Sequence, residues 1–204
     1  MTDRTPREPH TPRESRRLAD LLGIAAAYAV PLVRDTTDDR LDAPTPCADY
    51  DVRGLLNHLF HVVVNFQLLA ARQQPDFSVT PDYLAEPDWR ARFEKETARL
   101  VAAWAEPGAD EGTAGAMNLP ARTVGAMVLL DLTVHAWDLA RATGRAFEPD
   151  PVVVAELAGE VAGMAPMARK MNVFGEAVEL PADAPAFARL LAATGRDPRE
   201  WAAA

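Results

Sequence analysis

A chain of 204 residues is long enough for one well-cored domain, with any second one necessarily small. Its hydrophobic share of 49% and charged share of 25% are those of a soluble globular protein, and a formal net charge of -9 repels phosphate backbones, so nucleic acid is excluded as an expected partner. Cys47 is the only cysteine, which leaves no intrachain disulfide and no thiolate cluster, so a metal site would have to be built from His and carboxylates.

Residues 1–13 carry three prolines and alternating charges without apolar periodicity, and read as a disordered tail ahead of a single domain over 14–204. From Glu14 to about Arg34, Leu18, Leu21, Leu22, Ala25, Tyr28, Ala29 and Leu32 recur at helical spacing and predict a first helix. Arg16 and Arg17 ahead of this apolar stretch resemble a twin-arginine signal. Asp20 interrupts the stretch, and no small-residue cleavage site follows before Pro31. The expectation is a cytoplasmic protein that does not span a membrane.

A loop over 35–50 leads to a second helix that begins near Asp51, a good N-cap, and runs to about Arg72. Its apolar face is Leu55, Leu59, Val62, Val63, Phe66 and Leu69. A third helix is predicted from about Asp88 to Trp104, followed by an irregular Gly-rich stretch over 106–119. The fourth runs from about Ala121 to Thr143, with Gly144 as its stop. A fifth from about Pro151 to Met171 and a short one from about Pro185 to Thr194 bracket an extended segment at Ala177–Leu180. Long helices with almost no strand pattern predict an all-α four-helix bundle with a short C-terminal helical extension.

The fourth helix is apolar on nearly every side, which marks it as buried. Asp131, His135 and Asp138 interrupt it at spacings of four and three and so share one face. His58, His61 and Asn65 draw a similar polar line along the second helix. A buried carboxylate needs a cation or hydrogen bonds, because its desolvation costs several kcal/mol. A carboxylate and a His four apart, completed by His58 from a facing helix, form a facial set for one divalent ion, with Zn, Ni, Fe and Mn all compatible. Spacing leaves other readings open. Asp131 and His135 could be a hydrogen-bonded pair, and His61 could replace a ligand. Asp138 suits a supporting role, orienting His135 or pairing with Arg141. His61 and Asn65 could contact a substrate, or only bond neighbouring loops. Cys47 reads as a packing residue before a reactive thiol, and Trp137 as core.

The segment Thr45-Pro46-Cys47-Ala48-Asp49-Tyr50-Asp51-Val52-Arg53-Gly54-Leu55-Leu56-Asn57-His58-Leu59 resembles a signature of the actinobacterial maleylpyruvate-isomerase-like metal-binding proteins of the DinB superfamily. His135-Ala136-Trp137-Asp138-Leu139-Ala140-Arg141-Ala142-Thr143-Gly144 is similar to a second family motif, and Phe174-Gly175 with Gly195-Arg196-Asp197-Pro198 belongs to a third match. Tyr50 stands where the family usually has Trp, and Asp131 where characterised relatives have Glu or His. The resemblance implies a DinB-like bundle whose metal, zinc before other divalent ions, is held by His58, Asp131 and His135.

It further implies a transferase or isomerase that uses the low-molecular-weight thiol mycothiol on a small electrophilic metabolite, since a metal ion deprotonates a coordinated thiol near neutral pH. The chain itself offers no obvious nucleophile, which suits a reaction whose nucleophile comes from outside. A hydrolase or lyase working through metal-bound water, and a non-catalytic protein that binds metal or a small ligand, are the alternatives. The expected partner is a small molecule, with a homodimer as one assembly.

Overall fold

The computed structural model describes residues 17–201. Six helices carry the architecture: α1 (Leu18–Arg34), α2 (Val52–Ala70), α3 (Trp89–Ala105), α4 (Ala121–Ala142), α5 (Pro151–Lys170) and α6 (Ala186–Ala193). The fold is all-α, as the sequence predicts. The expected first turn of α1 at 14–16 lies outside the described residues.

The first four helices close a ring in which α1 and α2 each pack against both α3 and α4. The apolar stripes explain the arrangement. Leu55, Leu59 and Val63 of α2 are fully buried, as are Val128, Leu129 and Leu132 of α4 and Leu21, Leu22 and Ala25 of α1. Each large apolar side chain removed from water contributes about 1.5–3 kcal/mol. Trp137 is core, at 2% exposure. α5 and α6 pack on each other, and α5 leans on α4 and α1.

Local chemistry sets the ends of the helices that matter for the site. The Asp51 carboxylate accepts from Gly54 N at 2.7 Å and starts α2, which fixes the depth at which His58 enters the bundle. Asp150 caps α5 through Val152 N at 2.8 Å. α4 stops at Gly144, whose φ of 69° is left-handed, and Arg145 N then bonds Ala140 O at 2.7 Å.

Two details differ from the sequence reading. Within the stretch expected to be irregular, β1 (Thr113–Ala114) pairs antiparallel with β2 (Leu119–Pro120), a hairpin too short for an alternating pattern to register. The extended segment at 177–180 joins no sheet among the described residues, and its Val178 N donates instead to Ala192 O at 3.0 Å.

Candidate metal centre

α2 and α4 lie side by side, and their polar lines meet over one stretch. His58 Nε2 lies 3.8 Å from Asp131 Oδ1, and His135 Nε2 lies 3.5 Å from the same oxygen. The three donor atoms all fall within 4.8 Å of one another. Donors about 2.0–2.1 Å from a tetrahedral zinc would be about 3.4 Å apart. Both short edges are within a few tenths of an ångström of that value, so this donor set fits a divalent ion of the zinc type.

Each histidine is held through its other ring nitrogen. His135 Nδ1 meets Asp138 Oδ2 at 2.8 Å, an arrangement in which the ring donates to the carboxylate and keeps Nε2 as the free lone pair. His58 Nδ1 is 3.4 Å from the Tyr50 hydroxyl, and the two rings stack with centroids 5.1 Å apart. Burial pushes the His135 imidazole below its ordinary pKa, against the pull of Asp138, which keeps it neutral as a ligand must be.

The triad opens into a cavity of about 640 Å³, large enough for a small metabolite. Its walls come from two distant stretches, the Pro46–Tyr50 loop ahead of α2 and the C-terminal segments around Phe174 and Arg196. Cys47 lines the same cavity and lies within 4.8 Å of donor atoms of His135 and Asp138. That second grouping is the poorer metal site. Asp138 is already committed to His135 and Arg196, and burial pushes the Cys47 thiol up, away from the thiolate a metal requires.

The other sequence candidates sit elsewhere. His61 and Asn65 do not line the cavity: His61 Nδ1 lies 3.1 Å from the Tyr83 hydroxyl, and Asn65 Nδ2 donates to His61 O at 2.8 Å. His61 faces Tyr83, in the short turn before α3, and Asn65 bonds back to His61, so neither joins the ligand set. Asp138 is hydrogen-bonded to His135, and its cationic partner is Arg196 and not Arg141, whose guanidinium lies 5.7 Å from the Trp137 ring centre. Sequence reasoning singled out neither Arg196 nor Tyr50 as a site residue. Their signal was present in the motif matches that contain them.

A ring of four helices with a His of α2 and a carboxylate–His pair of α4 at the floor of a cavity defines a DinB-like, metal-binding class of protein. Within that class, the chain belongs to the family of the mycothiol maleylpyruvate isomerase N-terminal domain, whose family model matches residues 22–140. It is also 30% identical over 176 residues to uncharacterized protein Rv0738 of Mycobacterium tuberculosis strain H37Rv, covering 82% of this chain and 91% of the relative. The same figures hold for uncharacterized protein MT0763 of strain CDC 1551. No solved structure matches the chain.

Proposed function

We propose that this protein is a metal-dependent transferase or isomerase that uses a thiol of the mycothiol type on a small electrophilic metabolite. The observation that carries the reading is the placement of three convergent donor atoms on a cavity of about 640 Å³. Three protein ligands leave a coordination position open, the pattern of catalytic metal sites. The family description, which names mycothiol and an isomerase, supports the choice of cosubstrate.

His58, Asp131 and His135 would hold the ion, zinc in the first instance. When bound, it would supply Lewis acidity and lower the pKa of an incoming thiol. The chain's own residues do the rest. Tyr50 and Asp138 hold the two imidazoles by their Nδ1 atoms and turn Nε2 inward. The Pro46–Tyr50 loop and the Arg196 segment wall the cavity, which limits the water that can compete with a thiol. Burial pushes the Cys47 thiol up, which disfavours its thiolate and supports a nucleophile that comes from outside the chain.

Cobalt-substituted protein titrated with mycothiol tests the reading. The expected result is a sulfur-to-cobalt charge-transfer band that saturates with added thiol and is absent in His135→Ala. A protein that takes up cobalt yet shows no such band at millimolar mycothiol would shift the assignment to a hydrolase, a lyase or a plain metal-binding protein.

A further inference from the structure

We infer that Arg196 is the positioning residue that, acting through Asp138, presents Nε2 of His135 to the cavity, so that the chain beyond α4 is a working part of the site. The inference rests on His135 being a ligand in the function proposed above. Arg196 lies outside the stretch that the family model matches, residues 22–140, whereas Asp138 and His135 lie within it.

Asp138 is 0% exposed, one turn beyond His135 on α4. A carboxylate removed from water that completely needs hydrogen-bond donors in place of the lost solvent. His135 Nδ1 occupies one direction at 2.8 Å. Arg196 supplies two more donors: Nε lies 2.9 Å from Oδ1 and 3.0 Å from Oδ2, and Nη2 lies 2.7 Å from Oδ2. Such a fork fixes the plane of the carboxylate as well as its place. Since the ring follows the carboxylate, the fork also fixes the direction of His135 Nε2. Arg196 Nη2 is 3.4 Å from His135 Nδ1, but both are donors in this arrangement, so the contact leaves the Nδ1 proton to Asp138 alone.

The arginine is itself aimed. Its Nη1 bonds Thr194 Oγ1 at 3.2 Å, and the Thr194 hydroxyl donates to Leu191 O at 2.8 Å. Beside it, Gly195 has a φ of 92° and crosses Gly175 so closely that a Cβ at 195 would lie 2.6 Å from Gly175 Cα. Only glycine permits that crossing, which brings the chain back over the cavity with Arg196 pointing inward.

The test uses metal-free full-length protein with 15N-labelled histidine, whose four histidines keep the ring spectrum simple, together with zinc affinity by chelator competition. Wild type should show His135 as one tautomer, protonated at Nδ1. Arg196→Gln should show a tautomer mixture at His135, an unchanged His58 ring, and zinc affinity weakened about 10- to 100-fold. Arg196→Lys, which keeps the charge without the fork, should fall between. Wild-type tautomer and affinity in Arg196→Gln would overturn the inference. If that variant does not fold, an unchanged His135 tautomer in both Arg196→Lys and the milder Thr194→Val would overturn it equally. Wild-type protein that binds no zinc would defeat the metal reading separately, while the tautomer comparison would still decide the role of Arg196.

Discussion

Gly125→Ala tests how tightly α4, the helix that carries Asp131 and His135, is locked into the bundle. A Cβ at 125 would lie 2.0 Å from Leu18 Cδ2 and 3.0 and 3.1 Å from Cζ3 and Cε3 of Trp104. Carbon atoms sit comfortably about 3.5–4.0 Å apart, so the Leu18 tip would have to retreat by about 1.5 Å or more. Leu18 is 2% exposed and Trp104 3%, which leaves neither a vacant direction. Overpacking of this kind costs about 1–3 kcal/mol, and the alanine returns up to about 1 kcal/mol of helix propensity. The net expectation is a loss of about 1–2 kcal/mol, a fall in Tm of about 2–8 °C for a domain of this size. Gly159→Ala on α5 is the matched control, because its Cβ would meet nothing within 4 Å. There the propensity gain stands alone and stability should rise by about 0.5–1 kcal/mol. Urea unfolding of both variants reads the difference, and a Gly125→Ala protein as stable as wild type would refute the packing argument.

Thr133→Val removes the partner of the Tyr28 hydroxyl, 3.0 Å away, and should cost about 1–3 kcal/mol in denaturant unfolding. The Tyr28 phenol, pushed up to about 12 mainly by burial and eased down by that bond, should titrate higher still in an ultraviolet pH titration. His61 is held below its ordinary pKa by burial first and by the nearby His58 second. The unfolded chain therefore gains a proton there near pH 6.5 that the folded chain resists, so His61 costs stability as pH falls through that value. Unfolding midpoints at pH 8 and 5.5 should fall less in His61→Gln than in wild type. The remaining slope would come from His135, which burial shifts in the same direction.

The bundle was legible because periodicity in α2 and α4 is strong. Leu55, Leu59 and Val63 repeat every four residues, and α4 is apolar all round. The meeting of His58 with Asp131 and His135 was legible for a related reason: polar residues inside an apolar pattern need partners, and two facing helices provide them. What spacing could not supply was tertiary. The i,i+3 rule pointed Asp138 toward Arg141, yet its partner is 58 residues away and arrives only because Gly195 allows the chain to cross Gly175. His61 and Asn65 shared the polar line of α2, but one to two turns along the helix the neighbour changes to Tyr83, whose hydroxyl meets His61. The hairpin at 113–120 was illegible because two-residue strands carry no period.

Metal stoichiometry of protein purified without chelators tests the central claim most directly, read by elemental analysis beside His58→Ala, Asp131→Ala and His135→Ala. The account predicts close to one equivalent of a divalent transition metal in wild type and a large loss in each variant, with helical circular dichroism retained. Folded variants that keep the wild-type metal content would contradict it.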